Sequence, residues 1–139
     1  MMRPMDDQRE IVALVTRLYA ALAAGDRDEL DAVLDPAFVG DLVAGMPGGA
    51  GGRHEGAQAM RRNGWGALGR LFAVAPAAET FVPCADGRLL VVGAYRGTAR
   101  STGRDLDARF MHLWTARDGR LSHVLQVTDT AAFADALER

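Results

Sequence analysis

The chain has 139 residues, 49% of them hydrophobic and 24% charged, with a formal net charge of -2. That is enough for one hydrophobic core and too little for two, so residues 1-139 are read as a single domain. No apolar run approaches the roughly 20 residues of a membrane-crossing helix, and the charge balance lacks the basic stripe that draws a phosphate backbone; neither a membrane nor nucleic acid is an expected partner.

Cys84 is the single cysteine and has no partner for an internal disulfide. The three histidines lack metal-ligand spacing, and no cofactor motif is present. The opening segment MMRPMDDQRE shows neither an apolar stretch nor a cleavage pattern, which makes cytoplasm the expected compartment. All basic residues are arginine, a compositional bias rather than a sign of mechanism.

In chain order, Asp7 to Glu10 has capping-box spacing, and Ile11, Val15, Leu18 and Leu22 follow at helical spacing with Val12 and Tyr19 beside them. Gly25 suits the position just past a helix, and Asp26 to Glu29 repeats the capping pattern before Leu30, Val33 and Leu34. Asp35-Pro36 closes that second helix, and Phe38 to Val43 reads as a short strand with Asp41 inside it. A glycine-rich loop, AGMPGGAGGRHEG, leads to a third helical stretch carrying Met60, Leu68 and Leu71. Its Gly64, Gly66 and Gly69 imply a helix held by packing against a sheet.

After Pro76 the period changes to two. Glu79 to Val82, then Arg88 to Ala99, then two runs flanking Arg117-Asp118-Gly119-Arg120 predict an antiparallel meander, with Asp-Gly as a strong hairpin signal. Phe133 and Leu137 fit one closing helical turn. Helices first and strands second give an α+β fold in which the helices cover one face of the sheet.

The last hairpin carries polar groups inside apolar runs. His112 shares its face with Phe110 and Trp114, so it is buried if they are; a pairing near Met111 to Thr128, or one residue off, brings the two strands' polar groups together. Such groups must be paired or face a cavity. Tyr95 and Gln126 could supply hydroxyl and amide donors, although alternation leaves their face open. Met60, Trp65 and Phe72 are core residues or walls of a cavity for a large apolar ligand. Arg96 and Arg109 are solvated strand ends or, facing inward, partners for a carboxylate or carbonyl.

LYAALAAGDRDELDAVLDPAFV, the glycine-rich loop, LLVVGAYRGTARSTGR and FMHLWTARDGRLSHVLQVTDT together resemble the SnoaL-like polyketide cyclases and ketosteroid isomerase-like proteins of the nuclear transport factor 2-like superfamily. The resemblance spans nearly the whole chain. It implies a cone: a strongly curved sheet and a long helix around an apolar pocket that binds an apolar small molecule, often in a homodimer.

It also implies roles. Asp129 stands where SnoaL-like cyclases carry an acid/base aspartate, His112 near the isomerases' oxyanion acid, and Asp41 where they place a general base, which desolvation inside a cone would raise in pKa. Each has a plain alternative: Asp129 capping the final helix, His112 satisfied in the core, Asp41 bonded at a strand end. Leu18 falls at the isomerases' tyrosine position, so Tyr19 is assigned to the core and a steroid-type oxyanion hole is not expected. Arg53 and His54 are read as solvated loop residues and His123 as a surface residue.

The resulting expectation is a cofactor-independent enzyme of specialised metabolism. Asp129, His112 and Asp41 would move a proton on a polyketide-like or polycyclic substrate bound among Arg109, Tyr95, Trp65, Met60, Phe72, Gln126 and Trp114, for cyclisation or isomerisation. The alternatives are an epoxide hydrolase of the limonene-epoxide hydrolase type, using Asp41, Arg109 and Asp129, and a non-catalytic ligand-binding or dimerisation module.

Overall fold

A computed structural model describes residues 4-139, with side chains from Asp6 onward. Residues 1-3, on which part of the reading of the opening segment rests, lie outside the described residues. Helix α1 spans Pro4–Ala24 and α2 spans Arg27–Val33. α1 begins upstream of the expected box, so Asp7 sits inside its first turn rather than capping it. The second cap forms as expected: Gly25 takes φ +67° and the Asp26 carboxylate accepts from the Glu29 N–H at 3.1 Å.

Strand β1 (Leu34–Leu42) follows α2 without a loop. The glycine-rich segment is not wholly a loop: it holds a short strand, β2 (Gly52–Glu55), paired antiparallel with β1. The third helical stretch comprises α3 (Ala57–Ala59), a π-helical turn (Met60–Trp65) and α4 (Gly66–Leu71). Four long strands complete the sheet: β3 (Phe72–Pro83), β4 (Leu89–Ala99), β5 (Asp105–Arg117) and β6 (Arg120–Thr128), before α5 (Thr130–Leu137). β3 starts well before Glu79, and it tolerates Pro76 because it is an edge strand, where a missing N–H breaks no ladder.

The sheet order is β2-β1-β6-β5-β4-β3, antiparallel throughout except for the parallel β1–β6 pair. The fold is thus α+β, a curved, unclosed six-stranded sheet with the N-terminal helices on its concave face. At Gly93, beside a bulge between Ala78 and Thr80, a Cβ would lie 2.3 Å from the Ala77 carbonyl oxygen and 2.8 Å from Phe110 Cζ. Only glycine lets β3 and β4 coil that tightly over the interior.

The hairpin turn is as expected: Asp118 and Gly119 both take positive φ, 53° and 78°, which matches the right-handed twist of the flanking strands. The strands meet one residue off the Met111–Thr128 register, with Phe110 opposite Thr128 and His112 opposite Gln126. Leu106, Ala108, Phe110, His112 and Trp114 of β5 point inward against Ile11, Val15, Leu18 and Tyr19 of α1. No helix among the described residues is long and apolar enough to cross a membrane.

Candidate functional site

The interior of the cone is dominated by aromatic rings, and one chain of polar groups runs through it. Trp114 Nε1–H donates to Tyr19 Oη at 3.1 Å, and Tyr19 Oη lies 2.8 Å from His112 Nδ1. On the other side of the imidazole, Nε2 lies 3.1 Å from Tyr95 Oη, which donates to Gln126 Oε1 at 2.9 Å.

The direction of the chain follows from its members. Tyr95 gives its proton to Gln126, so it must accept from His112 Nε2–H; Nδ1 then carries the lone pair and accepts the Tyr19 proton. The network therefore assigns the Nε2–H tautomer, with each donor feeding the next acceptor.

Elements far apart in sequence build this line. Tyr19 shares a helical face with Val15 and Leu22 on α1; Tyr95 comes from β4, and His112 and Gln126 face each other across β5 and β6. Phe110 stacks on the imidazole, with centroids 3.8 Å apart and planes at 9°. Burial pushes the His112 imidazole down to about 3, so the ring is neutral at physiological pH. Burial also raises the Tyr19 and Tyr95 phenols well above the ordinary range, so both remain protonated donors.

Two buried atoms beside this line, Gln126 Nε2 and Thr128 Oγ1, have no hydrogen-bond partner among the described residues. An unpaired buried amide or hydroxyl costs about 1–3 kcal/mol. Tyr95 also lines a cavity of about 80 Å³ with Leu22, Trp65, Leu68, Gly69, Val74 and Pro76. Apolar walls and a few converging polar groups are what a small-molecule site needs.

The sequence-based candidates divide. His112, Tyr95, Gln126 and Trp114 join in one network, and Trp65 lines the cavity beside Tyr95. Met60 and Phe72 are fully buried but belong to the core: Met60 lies beneath Gly40 and Gly64, and Phe72 packs edge-on against Phe133.

Three charged candidates do not reach the interior. Asp41 lies on the outer face of β1, where His123 Nε2 stands 2.8 Å and Arg53 Nη1 3.1 Å from its Oδ2. The His123 hydrogen bond and the Arg53 charge hold its carboxyl below the usual range, the reverse of the expected desolvation shift. Arg109 is exposed and pairs with Glu79, which also binds Arg96 at 2.9 Å. Asp129 is exposed and accepts from the Ala132 N–H at 3.3 Å as the N-cap of α5, so the capping alternative describes its geometry. Each has its own partner, and no Asp-Arg-Asp cluster forms from these three.

Two other residues also differ from expectation. His54 is buried, with Nε2 2.7 Å from the Ala50 carbonyl, and ties the glycine-rich segment together instead of being solvated. Tyr19 was assigned to plain core, yet its hydroxyl is the link between Trp114 and His112. A tyrosine on the same helical face as Val15 and Leu22 was the available signal.

A helix-wrapped, curved sheet enclosing a polar line in an apolar cone defines the class as nuclear transport factor 2-like. Within that class, the SnoaL-like domain model matches residues 15–124, and the chain belongs to that family. The structure is similar to an NTF2-like protein from Burkholderia thailandensis, at 28% identity and TM-score 0.80, covering 100% of both chains. It is also similar to an NTF2-like protein of unknown function from Burkholderia pseudomallei, at 25% identity and TM-score 0.82, covering 94% of this chain and 98% of that one. A protein from a Jannaschia species, provisionally named a SnoaL-like polyketide cyclase, shares the fold at 20% identity and TM-score 0.77, over 93% and 92% of the two chains. No protein of curated function matches.

Proposed function

We propose that this chain is a cofactor-independent enzyme of specialised metabolism that binds a polyketide-like or polycyclic apolar substrate in the cone and promotes its cyclisation or isomerisation. The observation that carries this reading is the directional line from Trp114 to Gln126, which ends on an unpaired amide N–H beside Tyr95. The Gln126 Nε2–H groups, held in place by the Tyr95 hydroxyl on Oε1, are donors for a carbonyl whose oxygen gains charge as an enolate forms, and in a dry site such donors are worth most. His112, a neutral ring, orients Tyr95 through its Nε2–H. Asp129 and Asp41, expected as acid and base, have no part in this version of the site.

The test is ring closure of an aromatic poly-β-ketone ester followed by absorbance. Gln126→Met removes the donor and should lower kcat by about 10²–10³-fold, the usual loss on removing one oxyanion donor, and Tyr95→Phe, which removes the hydroxyl that holds Gln126, should lower it by a smaller factor. Unchanged turnover in Gln126→Met would remove the site from the reaction.

A second reading, a ligand carrier without turnover, draws on the outward placement of Asp41 and Asp129. Saturable binding of the same ester with no product would favour it. In either case a homodimer is proposed through the outer sheet face, where Met111, Leu125 and Val127 are 52%, 45% and 53% exposed as one apolar patch. Sedimentation equilibrium reads this directly, with a shift to monomer expected in Met111→Glu.

A further inference from the structure

We propose that the ligand of the cone bears a carboxylate, which Arg27, Arg62 and Arg70 receive at the mouth while its apolar body extends inward to Tyr95. This rests on the reading of the cone as a small-molecule site.

Outside the inner cavity lies a groove of about 510 Å³, and Leu22, Trp65 and Gly69 line both. The two spaces therefore adjoin at these three residues, the larger one outside and the smaller one at Tyr95. The groove is lined by four arginines, Arg27, Arg61, Arg62 and Arg70, and by no acidic residue. In a chain of net charge -2 that local excess of positive charge is a feature of the groove, not of the protein as a whole.

Arg61 is paired in charge with Asp31, its Nε 3.2 Å from Oδ1, although that contact lacks hydrogen-bond geometry. Arg27, Arg62 and Arg70 are exposed, and among the described residues they make no ion pair within 4.0 Å. Elsewhere among the described residues Arg17, Arg53, Arg88, Arg96, Arg109 and Arg117 each meet a carboxylate, while Arg9, Arg100, Arg104, Arg120 and Arg139 do not; what sets the groove apart is that its arginines converge on one space. Asp26, beside Arg27 in sequence, is occupied as the cap of α2 and does not line the groove.

The backbone favours an occupant as well. The Met60–Trp65 turn is π-helical, closed by Gly66 N–H to the Arg61 carbonyl, and such wide turns are frequent at functional sites. This one turn supplies Arg62 to the groove and Trp65 to the wall shared with the cavity. Arg70 Nη1 donates to the Arg62 carbonyl at 3.2 Å, which holds the Arg70 guanidinium over the groove with its other N–H groups free. A Cβ at Gly69 would meet nothing within 4 Å, so the floor there is open. Guanidinium forks match the planar, two-oxygen geometry of a carboxylate.

The experiment uses naphthalene-2-carboxylate and its neutral twin naphthalene-2-carboxamide, titrated into the full-length protein by calorimetry. The acid should bind about tenfold tighter than the amide, the scale of a charge-assisted over a neutral hydrogen bond, with the gap shrinking as salt rises. Arg62→Gln with Arg70→Gln should close the gap, and Arg62→Glu should reverse it. Gly69→Leu, whose Cβ would meet nothing within 4 Å and whose side chain would occupy the groove, should weaken both probes. Equal binding of acid and amide, or a gap that survives the double variant, would overturn the proposal while leaving the cone as an apolar site. Failure of both probes to bind would instead overturn the small-molecule reading, and the proposal with it.

Discussion

Lowering the pH from 7 to 5 should destabilise this protein through one residue, His112. Its folded pKa is pushed from 6.5 down to about 3 by burial, so the folded state holds the ring neutral while the unfolded chain takes up a proton. The stabilisation is fully present above the unfolded value near 6.5 and is lost as pH falls through the window toward 3. Between pH 7 and pH 5 the linkage relation gives a loss of about 2 kcal/mol.

The carboxylates held below their usual range, Asp41 among them, add their losses only as pH approaches their unfolded values near 4, so this window isolates the imidazole. Urea unfolding followed by far-UV circular dichroism at fixed protein concentration reads it, as a fall in midpoint of about 1 M at constant slope. His112→Asn retains His54 and His123, and comparing its own two pH values cancels the cost of the substitution. The variant should show a much smaller fall. An equal fall in parent and variant would refute the assignment of a neutral, buried His112.

Three further outcomes follow from the same geometry. Gln126→Met removes the acceptor of the buried Tyr95 hydroxyl along with the unpaired Nε2; it should lower stability by about 1–3 kcal/mol in differential scanning calorimetry, while reducing turnover at least as strongly as Tyr95→Phe. Asp129→Asn should keep both the cap and the activity within a few-fold, whereas Asp129→Ala should cost about 1 kcal/mol in chemical denaturation; loss of turnover in the asparagine variant would return Asp129 to the acid/base role. Gly93→Ala forces a methyl within 2.3 Å of the Ala77 carbonyl oxygen, and should cost about 1–3 kcal/mol, read as a lowered midpoint in urea.

What could be read from the residues was what local chemistry decides. The Asp26 cap, the Gly25 turn and the Asp118-Gly119 hairpin are set by their own neighbours, and all three formed. The burial of His112 followed from its two aromatic neighbours on β5. Facing was harder where the strands are irregular: register shifts lie between Leu34 and Val39 and between Thr115 and Ala116. On β1 plain alternation decides the matter: Phe38, Gly40 and Leu42 face inward, so the Asp41 carboxylate faces outward. Asp129 lies one residue past the end of β6, where a helix cap competes with a pocket for the same carboxylate. Tyr19 meets His112 across 93 positions of sequence, a contact that no local pattern encodes.

That long-range contact decides what kind of ligand group the interior wants. Trp114 can only donate, so the line has a fixed beginning. Tyr19 then donates to Nδ1, His112 donates from Nε2, and Tyr95 donates to Gln126 Oε1; every acceptor along the way is used. What remains at the far end is a pair of amide protons with no acceptor. A carbonyl or enolate oxygen supplies what is missing, whereas a ligand offering only a donor would leave those amide protons unpaired. The same residue order that leaves Gln126 unsatisfied in the free protein is thus the physical ground on which the proposed carbonyl chemistry rests.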